Sequence, residues 1–290
     1  MQIYLDYSAT TPPRAEVIAV MQSAMIKGWG NPSSLHRWGA QAATVLETAR
    51  MQVAELIGAP SDGVVFTASG TEANNLAIMG VAQQYRQPRH MIISAVEHSA
   101  IANPIALLEQ WGWHITRLPV DRYGQVNPAD LAASLRQDTV LVSVIYGQSE
   151  VGTLQPISEL AAVIQAAGGL ATPLFHTDAV QVAGRLPLNV RDLGVDLLSI
   201  SSHKLYGPQG AGALYVKSGA ELMPLLNGGG QENNLRSGTQ AVPVIAGFGA
   251  AADLAIQELH KENQRLLRLR ERLIERSEER RVGKECRSRW

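Results

Sequence analysis

Short apolar runs alternate with longer runs of helical periodicity along most of this 290-residue chain. The strand-like runs are residues 64–68, 91–95, 114–118, 140–146, 174–177, 197–201 and 212–216. Apolar residues recur at helical spacing over 15–27 and 38–57, from residues 71, 99, 128 and 158, and over about 246–276. This alternation predicts an α/β fold in which helices flank a mainly parallel sheet on both faces.

The same pattern divides the chain into segments. Residues 1–15 are interpreted as an N-terminal arm and residues 16–256 as one large α/β domain. Residues 257–276 continue the last helix beyond that domain. Residues 277–290 show no apolar periodicity, so we predict a tail that is disordered or foreign to the parent sequence. The last 30 residues hold 11 Lys and Arg but 6 Asp and Glu, which is typical of a solvated helix or tail.

Charge and composition argue against several classes of partner and site. A net charge of −1 gives no reason to expect a nucleic acid or an anionic membrane as partner. The N-terminus lacks the pattern of a signal peptide, and no uninterrupted apolar stretch is long enough to span a bilayer. A cytoplasmic location is therefore expected. The single cysteine, Cys286, excludes an internal disulfide and a cysteine-based zinc site, and we predict no metal site.

Polar residues follow several of the predicted strands, where ligands bind in sheets of this kind. The sequence Ser69-Gly70-Thr71-Glu72 comes directly after the run 64–68 and has the spacing of a capping box. A capped helix N-terminus offers free N–H groups and a positive dipole end, and Thr71 adds a hydroxyl. This pattern is compatible with a phosphate site, but most capped helices bind no ligand.

Three further strand ends carry side chains capable of cofactor chemistry. Asp178 could pair with a protonated pyridine nitrogen, or it could be an ordinary loop or capping residue. His98 could be a catalytic ring or a structural histidine. The cluster from Ser201 through His203 to Lys204 combines hydroxyls, an imidazole and an amine. A lysine in such a cluster could form a Schiff base with an aldehyde cofactor, although surface lysines are far more common.

Seven stretches, in the same order along the chain, are similar to those of the cysteine desulfurases, within the class V aminotransferase-like family. They are YLDYSATTP (4–12), GNPSSLHRWG (30–39), FTASGTEANNLAI (66–78), EHSAI (97–101), HTDAVQ (176–181), SSHKLYGPQGAGALYV (201–216) and GGGQENNLRSGT (228–239). They extend across nearly all of residues 1–256. The resemblance implies the large domain of a type I enzyme dependent on pyridoxal 5'-phosphate.

The resemblance also implies roles for the residues at the strand ends. Lys204 would hold the cofactor as a Schiff base, and His98 would stack on its ring, so these two are the implied catalytic residues. Asp178 would pair with the pyridine nitrogen, and Gln181 would bond the ring hydroxyl. Ser149 stands where the family usually has an asparagine that contacts cofactor and substrate. A serine still donates a hydrogen bond but is shorter.

The phosphate and the substrate have implied contacts of their own. The implied phosphate ligands are Thr71, Ser201, His203 and, from the neighbouring subunit, Thr239. Because Thr239 would act across a subunit boundary, a homodimer is implied as well. Asn31 and His36 lie in a stretch that resembles the loop bordering the family's substrate pocket.

The implied reaction is the conversion of L-cysteine to L-alanine, with persulfide sulfur passed to an acceptor such as an iron–sulfur scaffold protein. The alternatives are a selenocysteine lyase, a small-amino-acid aminotransferase, or an inactive dimerisation partner with the same fold. Family members continue beyond this length, so residues 257–276 are expected to lead into an incomplete small domain. The family's nucleophilic cysteine loop is Ser/Gly/Ala-rich. Cys286 lies in KECRSRW, so it is not expected to be the nucleophile and this chain is expected to be inactive.

Overall fold

The structure, a computed structural model, describes residues 3–168 and 172–278. Its strands are β1 Val64–Thr67, β2 His90–Ser94, β3 His114–Leu118, β4 Thr139–Ser143, β5 Leu174–Asp178, β6 Leu197–Ser201 and β7 Gly212–Val216. Its α-helices are α1 Ala15–Lys27, α2 Arg37–Leu56, α3 Gly70–Ala82, α4 Ser99–Gln110, α5 Pro128–Ser134, α6 Ile157–Ala166, α7 Val190–Leu193 and α8 Val242–Glu278. Every predicted strand is present, and the predicted helices begin within a few residues of their expected positions.

The seven strands form one sheet in the order β1-β7-β6-β5-β4-β2-β3. Only β7 runs antiparallel to its neighbours β1 and β6, and the other adjacent pairs are parallel. The predicted α/β fold with a mainly parallel sheet is therefore confirmed. Because β1 to β6 point the same way, the loops that follow these six strands emerge at one edge of the sheet.

Both faces of the sheet are buried, as in parallel sheets that carry helices on each side. Successive residues of a strand face opposite sides, so Val64 and Phe66 join one apolar cluster and Val65 joins the other. The first cluster includes side chains from α1, α2, α5, α6 and α8, and the second is built on α3 and α4. Burial of each large apolar side chain contributes about 1.5–3 kcal/mol, so the helices hold the sheet edge in place.

The last helix, α8, is longer than the others and packs against α1 and α2 through its first half. It passes without a break through the predicted segment boundary at residues 256/257. One window of α8 is apolar and long enough to cross a membrane by length and composition, but 44% of that window is buried inside the protein. Such burial is typical of a core helix. Beyond this apolar window, Leu269 and Leu273 of α8 are exposed. The predicted tail, residues 277–290, begins too early, because α8 continues through Ser277 to Glu278. Residues 279–290, with Cys286, lie outside the described residues.

One helix lies where the sequence shows no periodic pattern. Helix α7 has only four residues, too few for an apolar stripe to be visible. Its N-cap is Asn189, whose Oδ1 accepts from the backbone N–H of Arg191 at 2.9 Å. Gly194 ends the helix with a φ of +69°, a left-handed conformation that glycine adopts without strain.

Candidate active site

A cavity of about 270 Å³ opens at the edge of the sheet where the parallel strands end. It is lined by Ala9, Ser69, Gly70, Thr71, Asn74, His98, Ala100, Ile145, Ser149, Asp178, Val180, Gln181, Ser201, His203 and Lys204. These include every predicted cofactor residue except Thr239. The residues predicted for the substrate pocket, Asn31 and His36, are exposed and outside this cavity, as is Thr239.

Lys204 is the last residue of a short 3-10 helix, Ser202–Lys204, that directly follows β6. Its Nζ donates a hydrogen bond to the backbone carbonyl of Ser8. Burial lowers the pKa of Lys204, while the negative charges of Asp178 and Asp6 oppose that change. A lowered pKa increases the fraction of neutral amine, which is the nucleophilic form of a lysine.

Asp178, the last residue of β5, is only 4% exposed. Its Oδ2 accepts a hydrogen bond from Nδ2 of Asn74 at 2.6 Å, and its Oδ1 accepts from the backbone N–H of Val180 at 2.9 Å. Burial raises the pKa of Asp178, and both hydrogen bonds act in the opposite direction by favouring the carboxylate. The cavity therefore contains an oriented acid that is complementary to a cationic N–H.

Asn74 is a site residue that the sequence analysis misses. It is 1% exposed in the middle of α3, although asparagine is a poor residue for a helix interior. A buried amide requires a hydrogen-bond partner. An asparagine within an otherwise apolar helix is therefore a sequence signal that such a partner lies nearby. Identifying Asp178 as that partner required the fold, because the two residues are far apart in sequence.

The N-terminus of α3 forms one end of the cavity. Oγ of Ser69 accepts from the backbone N–H of Glu72 at 3.1 Å, as the predicted capping box requires. The reciprocal bond differs from the prediction, because the carboxylate of Glu72 accepts from the N–H of Ala68 at 2.7 Å rather than from Ser69. A Cβ on Gly70 would lie 2.7 Å from a methyl of Val180, so only glycine fits this close approach.

Two polar residues, one at the end of β6 and one in the 3-10 helix that follows it, line the same cavity. Ser201 is 1% exposed, and its Oγ is buried with no hydrogen-bond partner among the described residues. A buried hydroxyl without a partner is unfavourable unless a ligand satisfies it. Nδ1 of His203 lies 3.1 Å from Oγ1 of Thr10, and burial lowers the pKa of His203, which favours the neutral ring.

His98 has a structural role besides its predicted cofactor role. It is the N-cap of α4, and its Nδ1 accepts from the backbone N–H of Ala100 at 3.1 Å. The ring proton of neutral His98 is therefore on Nε2. The cap fixes the ring at the mouth of the cavity, so the structural and the functional interpretations of this histidine are compatible.

The remaining predicted residues lie nearby. Nε2 of Gln181 donates to the carbonyl of Ser8 at 3.1 Å, so Gln181 and Lys204 share one acceptor on the arm. Ser149 lines the cavity next to a turn organised by Gln148, whose Oε1 accepts from two backbone N–H groups at 2.7 Å. The roles assigned to these side chains stay predictions.

The N-terminal arm takes part in the site, which its sequence did not indicate. Thr11 is 3% exposed and bonds the segment around the lysine from both sides. Its Oγ1 donates to the carbonyl of His203 at 2.8 Å and accepts from the N–H of Tyr206 at 2.7 Å. The arm thereby holds the carbonyl of Ser8 beside Lys204.

Glu97 is a second residue missed by the sequence analysis. Its Oε1 accepts from Oγ of Ser94 at 2.5 Å and from the N–H of Ile145 at 2.8 Å. The residue is partly exposed, but Oε2 is buried and has no hydrogen-bond partner among the described residues. Burial raises the pKa of Glu97 to about 8, with a further contribution from the negative charge of Asp178. Glu97 therefore links the ends of β2 and β4 as a largely neutral acid at pH 7.

Comparison with known proteins agrees with this geometry. A family model described as Aminotransferase class-V matches residues 3–289. The chain belongs to the class-V aminotransferase family. The matched range ends at residue 289 and so includes nearly all of the predicted tail; the tail character of residues 279–290 stays a prediction.

Individual relatives of this class-V chain are similar over most of its length. The cysteine desulfurase IscS of Dictyoglomus turgidum is 49% identical over 280 residues, which are 96% of this chain and 70% of that protein. A solved structure described as a NifS-like protein has a TM-score of 0.91 at 35% identity, covering 95% of this chain and 75% of that one. Another, described as SspA in complex with cysteine, has a TM-score of 0.83 at 36% identity, covering 87% and 72% respectively.

Class-V aminotransferases and cysteine desulfurases use pyridoxal phosphate, and the residues of this cavity fit that group. Lys204 supplies an amine with a lowered pKa, and Asp178 supplies an oriented acid in the same cavity. The unpartnered hydroxyl of Ser201 and the N-terminus of α3 supply donors for a phosphate.

Proposed function

We propose that this chain is the cofactor-binding portion of a pyridoxal-phosphate-dependent cysteine desulfurase, which converts L-cysteine to L-alanine and transfers the sulfur. The observation that carries the proposal is the cavity in which Lys204 and Asp178 meet at the ends of β6 and β5. The chain is similar over most of its length to proteins named cysteine desulfurases, and this similarity favours cysteine as the substrate. Cys286 lies outside the described residues, and it is not part of the proposal.

Several polar side chains of the cavity have definite tasks in this proposal. When bound, pyridoxal phosphate supplies an electron sink for negative charge that develops on the amino acid. Lys204 would hold the cofactor through its amine and would then move protons as a general base and acid. Asp178, oriented by Asn74, would keep the pyridine nitrogen protonated, and His98 would cover the ring.

Phosphate recognition combines main-chain and side-chain donors. Thr71 and Ser201 provide hydroxyls, His203 provides a ring N–H, and the first turn of α3 provides backbone N–H groups. Gln181 bonds the ring hydroxyl, and Ser149 replaces the family asparagine at the mouth of the cavity.

The assembly follows from residues outside this cavity. Thr239 is exposed, and in the proposal it contacts the phosphate bound by a second copy of the chain, which makes the active form a homodimer. Asn31 and His36 border the substrate pocket of that assembly. A persulfide acceptor, such as an iron–sulfur scaffold protein, and a cytoplasmic location complete the proposal.

The test is to add amino acids to the cofactor-loaded chain and to follow both the cofactor absorbance and the products. L-cysteine is expected to change the spectrum, with alanine as the carbon product of any turnover. Formation of a 2-oxo acid would instead indicate an aminotransferase, and a response to selenocysteine but not cysteine would indicate a selenocysteine lyase. Cofactor binding without a response to any amino acid would leave the dimerisation partner as the function.

A further inference from the structure

The loop between β7 and α8 contains a backbone conformation that its residues rarely adopt. Glu232, Asn233 and Asn234 have φ values of +48°, +56° and +65° in succession. A left-handed conformation is unfavourable for a residue with a side chain, and asparagine adopts it as a single residue rather than in a run. Three consecutive residues of this kind persist only where surrounding contacts determine the conformation.

A buried ion pair provides those contacts. The carboxylate of Glu232, which is 5% exposed, accepts from Nη1 and Nη2 of Arg50 at 2.7 and 2.9 Å. It also accepts from the backbone N–H of Phe66 at 2.8 Å. Arg50 itself donates to the carbonyl of Val64 at 2.7 Å and lies over the ring of Phe66. The turn is thereby fastened to α2 and to β1, two rigid parts of the large domain.

The same strained turn also holds the residues on both sides of Thr239. Oε1 of Gln231 accepts from the backbone N–H of Gly238 at 2.8 Å. Oε1 of Glu232 accepts from Nε2 of Gln240 at 3.0 Å. Thr239, which lies between these two contacts, is itself exposed. Two successive residues of one turn therefore set the position of an exposed threonine through its two neighbours.

We infer that Gln231 and Glu232 are positioning residues that hold Thr239 in place for the phosphate of a second subunit. The inference rests on the proposed function, in which Thr239 makes that contact. The buried pair of Glu232 with Arg50 fixes the turn to the domain, and the two side-chain contacts transmit this rigidity to the segment 238–240. An exposed threonine that is already ordered loses less conformational entropy when it binds.

The experiment measures the affinity of the full chain for pyridoxal phosphate and for pyridoxal, which lacks the phosphate. Thr239→Ala, Gln231→Ala and the double variant are compared. Gln231 is chosen because removing one member of the Arg50–Glu232 pair would threaten folding. Gln257→Ala is the control, because Gln257 is an exposed glutamine that bonds Asp253 on α8.

Thr239→Ala is expected to weaken binding of pyridoxal phosphate by about 10- to 100-fold, as for a lost hydrogen bond to a charged group, and to leave pyridoxal unaffected. Gln231→Ala should have the same phosphate selectivity, and the double variant should bind no more weakly than Thr239→Ala alone. Gln257→Ala should bind normally.

If Thr239→Ala has no effect on pyridoxal phosphate, the proposed intersubunit contact is wrong and the inference fails with it. If Thr239→Ala weakens binding but Gln231→Ala does not, or if their effects add, the contact stands and the positioning inference is overturned.

Discussion

Nδ2 of Asn74 lies 2.6 Å from Oδ2 of Asp178, so an amide in the middle of α3 orients the acid at the end of β5. The relationship joins the helix that begins at the proposed phosphate site to the strand that carries the proposed partner of the pyridine ring. A shift of α3 would therefore disturb both proposed cofactor contacts at once.

Replacing Asn74 by Ala should raise the pKa of Asp178 further, because a hydrogen bond that favours the carboxylate is lost. Turnover or spectral response to cysteine should fall by roughly 10- to 100-fold, as for a lost hydrogen bond to a charged group. The measurement is the pH dependence of the cofactor absorbance in the loaded protein. Asn75→Ala is the control, because Asn75 donates to the carbonyl of Thr71 and not to Asp178. An unchanged pH profile in Asn74→Ala would show that the contact is incidental.

A comparison of two adjacent serines can distinguish a phosphate-binding side chain from a purely structural one. Oγ of Ser201 and Oγ of Ser202 are both buried without a partner among the described residues, but only Ser201 lines the cavity. Either serine-to-alanine change should stabilise the cofactor-free protein, by about 1 kcal/mol, because an unsatisfied hydroxyl is removed. Only Ser201→Ala should weaken binding of pyridoxal phosphate. Equal affinities in the two variants, measured by titration beside urea unfolding, would contradict the phosphate role.

The cap and the cofactor role of His98 can be separated in the same way. Asparagine is a good N-cap, so His98→Asn should keep the stability of α4, whereas His98→Ala should cost about 1 kcal/mol. Both variants remove the ring that is proposed to cover the cofactor, and both should therefore show the same loss of response to cysteine. A full response in His98→Asn would assign His98 a structural role alone.

Glu97 should make the stability depend on pH. Burial raises its pKa from the ordinary value of 4.5 to about 8, so the folded chain keeps a proton that the unfolded chain releases at lower pH. The resulting stabilisation is complete below pH 4.5 and is lost as the pH rises through about 8, at about 1.4 kcal/mol per pH unit between those values. Glu97→Gln has no carboxyl that ionises here, so it should gain stability relative to the parent chain as the pH rises from 5 to 8. The measurement is the free energy of urea unfolding of both proteins at pH 5 and at pH 8. The same difference between the two proteins at both pH values would refute the raised pKa of Glu97.

The sheet and most of the cavity could be predicted from the sequence because local patterns determine them. Apolar runs identify strands, and polar residues directly after them, such as Asp178 and Lys204, must gather where parallel strands end. Ser8 could not be found in this way because it contributes a backbone carbonyl, which any residue has. Asn74 and Glu97 act through partners that only the fold brings near. The left-handed turn at Glu232 depends on an ion pair between distant segments, which no local pattern reports.

Borohydride reduction of the cofactor-loaded chain, followed by peptide mapping, tests whether Lys204 binds the cofactor. Lys217 is the matched control, because its hydrogen bond to Asp196 raises its pKa, whereas burial lowers that of Lys204. One reduced cofactor adduct is expected, on Lys204, which is lost in Lys204→Ala and retained in Lys217→Ala. An adduct on another lysine, or an equal yield from Lys204→Ala, would contradict this assignment.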